Sequence, residues 1–242
     1  MRSVRRFNNG RWALKTGKLD TLSPQQFLDC TPNPHHCGQG DGPGGDWGSG
    51  GCDGGTPELA YAAAAKAGGL QTGWDYPYES YMGKDFDCRL GAVKLHRGKQ
   101  ANVTGVFKTI ANNYTSVYDA LANRGPLAIS VDTTGWDSYE SGVFDGCNQT
   151  HPDLDHVVLL AGAGTDPDTG LAYWLVRNSW SPWWGDSGWI KIRRAVTDAE
   201  FDARCGVDLA PGDGSGCDNG PSTVTVCGTC GILFDTTLPL VE

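Results

Sequence analysis

His156 opens the apolar stretch Leu154–Gly164 (LDHVVLLAGAG), and Asn178, Trp180 and Trp184 follow in Tyr173–Ile192 (YWLVRNSWSPWWGDSGWIKI). The chain also holds nine cysteines, at Cys30, Cys37, Cys52, Cys88, Cys147, Cys205, Cys217, Cys227 and Cys230. Cysteine and histidine together can carry nucleophilic catalysis. A thiol attacks well only as thiolate, and a nearby imidazolium lowers its pKa enough for that form to exist near neutrality. Taken singly, each residue has a plainer reading. A histidine on an apolar strand is commonly a satisfied core residue, Asn178 can fix a turn, and the tryptophans can simply pack. The pair Asp155-His156 says little alone. Cys227-x-x-Cys230 has the spacing of a zinc or redox pair, but a zinc site wants a second close pair and His35-His36-Cys37 is a poor substitute. Structural disulfides are favoured there, and no metal site is expected. Ala161-Gly162-Ala163-Gly164 lacks the lysine and the strand-to-helix context of a phosphate loop.

The elements that must position these residues change character along the chain. Ser23-Pro24-Gln25-Gln26 reads as a capping box with proline at the first helical position, predicting a short helix that ends near Cys30. Residues 31–55 are rich in Gly, Pro and Asp and predict a long loop, of a length usually tied to function. Thr56-Pro57-Glu58 starts an Ala-rich helix that Gly68-Gly69 stops. A third helix is expected over 116–124, capped by Ser116 and ended by Gly125-Pro126. Strands are expected over 127–132, 156–162, 172–177 and 188–194; Ile190 and Ile192 alternate with Lys191 and Arg193, so the last has one wet face. Residues 206–226 read as a disulfide-pinned surface loop. Helices first and strands later indicate an α+β protein, divided into two lobes near residues 92–100.

Composition narrows the class. Lys+Arg 19 against Asp+Glu 28 leave a net charge of −9 over 242 residues, the wrong sign for a nucleic-acid binder. Nine tryptophans and 39% apolar residues argue against disorder. No stretch reaches the roughly 18 consecutive apolar residues of a membrane helix. Scattered cysteines read as a disulfide framework in an oxidising compartment, and N-x-Thr sequons at Asn102, Asn113 and Asn148 agree with a secretory route. Yet Met1-Arg2-Ser3-Val4-Arg5-Arg6 has no apolar h-region behind it, so no signal peptide is read and the chain is expected to be a fragment.

Four segments in order, LSPQQFLDC (Leu22–Cys30), GCDGGTPELAYA from Gly51, LDHVVLLAGAG and YWLVRNSWSPWWGDSGWIKI, closely resemble the papain-like cysteine peptidases. Tyr76-Pro77-Tyr78 and the C-terminal CGILFDTTLP add to the resemblance, which runs from about Gly10 to the end. It implies a two-lobe fold, with a helical left lobe over 1–95 and an antiparallel β-barrel-like right lobe over 96–242 that carries a disulfide-pinned 205–230 excursion. It implies His156 as base and later acid, Asn178 as acceptor of the imidazole's other N–H, and Trp180, with Trp184 downstream, as the roof over that bond. It pairs Cys30 with Cys88 and Cys147 with Cys230, leaving Cys52 the likeliest orphan. No cofactor is implied. The implied partners are peptide or protein substrates, an inhibitory propeptide and protein inhibitors, with a lysosomal, vacuolar or extracellular setting and a monomeric state.

The family's Cys-Gly-Ser-Cys-Trp run and the glutamine before it do not occur in these residues. Arg11–Leu19 looks like the end of the helix that should carry the run, Arg2–Asn9 does not, and family spacing puts the reactive cysteine just upstream of Met1. The chain as written is therefore expected to be inactive, with a non-catalytic peptide- or partner-binding protein of the same fold as the alternative. On the substrate side, Gly54 and Gly55 match the segment whose backbone pairs with an extended peptide. Thr56, Pro57 and Val157 fall around the S2 pocket and Asp235 at its floor, and Asp155 is expected among the substrate-binding residues. An acidic floor is expected to accept Arg as well as large apolar side chains at P2; the alternative is a solvent-exposed Asp235.

Overall fold

A serine ahead of a proline sets the first well-defined turn. In the computed structural model, which describes residues 10–38, 51–90 and 101–242, the Ser23 side chain accepts from Gln26 N–H and helix α2 runs Pro24–Cys30. Only half of the expected capping box forms. Gln26 turns away, donating to Gly69 O at 3.0 Å and accepting from Gln71 N–H at 2.8 Å, so it ties α2 to the turn that follows the next helix. Before α2, residues 10–16 are helical (α1), and Trp12 Nε1–H reaches Asp20 at 2.9 Å. Helix α3, Pro57–Lys66, starts after Thr56 and ends where Gly68 and Gly69 take positive φ; a Cβ on Gly69 would strike the Ala101 carbonyl. The expected cap of the third helix is corrected. Helix α4 is Tyr114–Arg124, and Asn113, not Ser116, is its N-cap, because the Asn113 carboxamide accepts from Ser116 N–H. The Ser116 hydroxyl accepts from Ile110 N–H instead.

The strands build a seven-stranded sheet in the order β1-β9-β2-β4-β5-β6-β3. They are β1 Val103–Lys108, β2 Leu127–Val131, β3 Val143–Phe144, β4 His156–Thr165, β5 Ala172–Arg177, β6 Trp189–Arg193 and β9 Thr236–Val241. All pairs are antiparallel except β3 with β6. The expected α+β class with a mostly antiparallel sheet holds, and among the described residues β1 and β3 are the sheet's two edges, so it does not close into a barrel. β1, β3 and β9 were not foreseen. Within β9, Pro239 sits opposite Val106 of β1 and beyond the two residues that pair with β2, where its missing N–H removes no bond to that strand. Short helix α5, Asp198–Asp202, follows β6. The 206–226 segment is partly ordered as a hairpin, β7 Cys205–Asp208 with β8 Val224–Cys227, the two cysteines facing each other as a disulfide.

Alternation along β2 and β4 divides the core. Leu127, Ile129 and Val131 with Val158 and Leu160 join Val117 of α4 and Trp136 on one face. Ala128 and Leu159, with Val157 and Ala161 beside them, join Trp12 and Ala60, Tyr61 and Ala64 of α3 on the other. Period-two geometry requires this sorting, and it buries β2 completely. Four disulfides hold the chain: Cys30–Cys88 and Cys147–Cys230 as the resemblance implied, with Cys205–Cys227 and Cys37–Cys217. Cys227 and Cys230 thus have different partners and form no zinc or redox pair. Arg2–Asn9 and the lobe divide near 92–100 lie outside the described residues.

Candidate active site

His156 is the first residue of β4 and has the parity of Val158 and Leu160, so its ring points to the Trp136 face. Asn178 follows β5 with the parity of Trp174 and Val176. The β4–β5 register sets Leu159 opposite Arg177, which brings the two side chains together on that face. His156 Nε2 lies 3.0 Å from Asn178 Oδ1. A carboxamide oxygen only accepts, so Nε2 carries the proton and Nδ1 is left with its lone pair. The same Oδ1 accepts Ser179 N–H at 2.7 Å, and Asn178 N–H bonds Gly188 O at 3.0 Å; the side chain is 1% exposed. Its orientation is fixed from both ends.

Tryptophans close the upper side. Trp180 lies 5.5 Å from the His156 ring and 5.2 Å, edge-on, from Trp184. Trp184 stacks on Trp136 at 5.8 Å and donates its Nε1–H to the Trp136 carbonyl at 3.1 Å. Trp136 is fully buried and anchors the layer, a part that had no signal in the sequence because it comes from a turn between β2 and β3. Trp180 remains 41% exposed, so one of its faces borders solvent.

Burial is the main influence on His156 and pulls its pKa below the usual value, while the Asn178 bond and the Asp155 charge pull the other way. The ring is therefore neutral at pH 7. Asp155 is turned to Thr133, accepting from its hydroxyl at 2.9 Å and its N–H at 3.2 Å. Burial raises its pKa, opposed by those bonds. Asp153 is pushed up to about 6, first by burial and then by Asp155, Asp208, Asp213 and Asp132.

The other expected residues divide. Gly54 and Gly55 have φ of 131° and 147°, a conformation side chains resist, and lead into buried Thr56 and Pro57. Val157 packs with Ala60 and Tyr61 of α3 on the helix-side face, opposite to His156. Asp235 is not the solvent-exposed residue of the alternative reading. It is 3% exposed, accepts from the Ser130 hydroxyl at 2.6 Å and pairs with Lys108 Nζ at 2.6 Å. The same ammonium lies 2.6 Å from Glu58 in the first turn of α3. Burial alone would lower the Lys108 pKa, but Asp235 and Glu58 raise it well above the ordinary lysine value. Burial and Asp235 raise Glu58. Lys108 was not foreseen, since it belongs to a strand the sequence did not reveal. Cys52 stands outside the four disulfides, exposed, with its N–H donating to Asp85 at 2.7 Å.

Known proteins resemble this chain in sequence and fold. The family described as papain family cysteine protease matches residues 3–211. "Cysteine protease 1" of Oryza sativa subsp. japonica is 39% identical over 196 residues, 80% of this chain and 35% of that protein. Vignain of Ricinus communis is 33% identical over 198 residues, covering 81% of this chain and 48% of its own. The chain therefore spans about a third to a half of these relatives. The bromelain protease of Ananas comosus, solved with the E64 inhibitor, superposes with a TM-score of 0.69 at 26% identity over 99% of this chain and 87% of the other.

Proposed function

The chain belongs to the papain family of cysteine proteases, and on that premise we propose that it supplies the base-bearing part of a peptidase site that hydrolyses peptide bonds through a thiolate and an imidazolium. The observation that carries this is the 3.0 Å contact of His156 Nε2 with Asn178 Oδ1. With Nε2–H held there, Nδ1 takes the proton of a cysteine thiol, and the thiolate attacks the substrate carbonyl carbon. The imidazolium then protonates the leaving amine, and the neutral ring activates the water that releases the acid. Trp180 and Trp184 shield the His156–Asn178 bond, which strengthens it.

The contacts of the His156 ring seen among the described residues are with Asn178 and Trp180, and none is with a cysteine. Eight of the nine cysteines are in disulfides, and exposed Cys52 lies between Gly51 and Asp53 in a single 3₁₀ turn rather than at the N-terminus of an α-helix. That distribution favours a second reading for the 242 residues alone, a peptide- or partner-binding protein of papain fold that does not cut. Hydrolysis of fluorogenic peptides and labelling by a thiol-directed epoxide test both. The chain alone is expected to show neither, and a version preceded by a Gln…Cys-Gly-Ser-Cys-Trp segment is expected to show both, lost on His156→Ala. Histidine-dependent turnover by the chain alone would overturn the assignment of the thiol; an inert extended version would overturn the peptidase reading.

Gly54 and Gly55 present backbone to an extended peptide, and Thr56, Pro57, Asp155 and Val157 border the P2 side chain. Lys108 already neutralises Asp235, which leaves apolar P2 residues preferred over Arg. Four disulfides and the exposed asparagines Asn102, Asn113 and Asn148 fit a vacuolar, lysosomal or extracellular protein that is glycosylated, acts as a monomer and meets protein substrates, inhibitors and its own inhibitory propeptide.

A further inference from the structure

Cys37 and Cys217 are 180 residues apart, and their disulfide joins the segment after α2 to the turn Pro211–Asp213 and the residues behind it. The junction is more than one bond. Gly38 N–H donates to Gly216 O at 2.8 Å, and Asp218 N–H to His35 O at 2.8 Å. His36 Nδ1 lies 2.7 Å from the Asp218 carboxylate. Gly214 shows where this strip runs. A Cβ there would collide with the Leu154 carbonyl and come within 3.2 Å of Asp155 N. On the other side its carbonyl lies 2.7 Å from where a Cβ on Gly38 would stand, a point itself 3.4 Å from the Thr56 methyl. Leu154 N–H is held in turn by Asp208 at 3.4 Å. One backbone strip thus touches the residues that lead into His156 and, through Gly38, the residue that opens α3.

We infer that residues 211–218, stapled to Cys37, form a wall across the acyl side of the groove, so that only peptides with a short stretch before the scissile bond fit. The inference rests on the peptidase reading, because that reading makes Thr56 and Asp155 opposite rims of one P2 pocket. An extended peptide needs open backbone and open space along both rims. The strip occupies that space, and a disulfide with two backbone bonds keeps it from swinging aside. Residues after the scissile bond run the other way, toward the Trp180 end, and meet no such strip among the described residues.

Binding decides this without needing a thiol. The probes are N-acetylated peptides with C-terminal fluorescein, carrying two or five residues before the central amide and, separately, one or four after it, read by fluorescence anisotropy on the whole chain. Lengthening before the amide is expected to weaken binding at least tenfold, and lengthening after it to change little. Cys37→Ser with Cys217→Ser is expected to remove the discrimination. Equal affinity of the unaltered chain for both acyl-side lengths overturns the wall while leaving the peptidase reading intact, and does so even if the double variant does not fold. Absence of binding for every length in both proteins overturns the groove reading, and the wall with it.

Discussion

His156 is held as a neutral base with one nitrogen committed, and that state is measurable. Burial holds its folded pKa below 6.5, so the folded state binds fewer protons than the unfolded one between the two values. The sign follows: His156 contributes stability above pH 6.5, and this is lost as pH falls through that window. Two-dimensional NMR of the imidazole is expected to give a midpoint below 6.5 in the chain alone. A thiolate beside Nδ1 would move it above 6.5, so the same titration reports whether a reacting cysteine is present. Asn178→Ala removes the one neighbour that the geometry assigns to Nε2–H and is expected to lower the midpoint further. In a version carrying the reactive cysteine it should cut kcat/KM by on the order of 10²-fold. An unchanged midpoint in Asn178→Ala would mean the 3.0 Å contact does not exist in solution.

Elements meet at side chains that belong to neither neighbour in sequence, and Lys108 is the main case. It leaves β1 and sets one ammonium between Asp235, ahead of β9, and Glu58 of α3. Lys108→Met leaves two carboxylates facing each other with little water, and is expected to cost about 1–3 kcal/mol in urea unfolding at pH 7, since the lysine is itself half exposed. Most of that loss should vanish at pH 4, where Glu58, whose pKa burial raises, is protonated. The same pair explains what the sequence could disclose. Val158 and Leu160 alternate with Leu159 and Ala161, so β4 and the face of His156 were readable, as were the caps of α2 and α3. β1 and β9 were not, because Gly105 and Pro239 interrupt their patterns. The ionic partner of Asp235 was not legible because Lys108 lies on β1, and no spacing rule joins Cys37 to Cys217 across 180 residues.

At the scale of the whole molecule, charge is unevenly placed. The net −9 includes Asp132, Asp155, Asp208 and Asp213, whose charges all act on Asp153. Burial first and their repulsion second push the Asp153 pKa up to about 6. A carboxyl raised on folding works opposite to His156. The folded state binds more protons than the unfolded one between the ordinary value of 3.8 and about 6, so stability falls as pH rises through that window. Acidification thus relieves Asp153 while it penalises the buried imidazole, so the two slopes have opposite signs. Asp153→Asn removes one slope and leaves the other. It is expected to raise Tm by about 1–2 °C at pH 7, to have no effect at pH 4, and to make stability rise more steeply with pH between them. A Tm gain of equal size at both pH values would show that Asp153 acts through packing, and that the acidic groups do not share their charge.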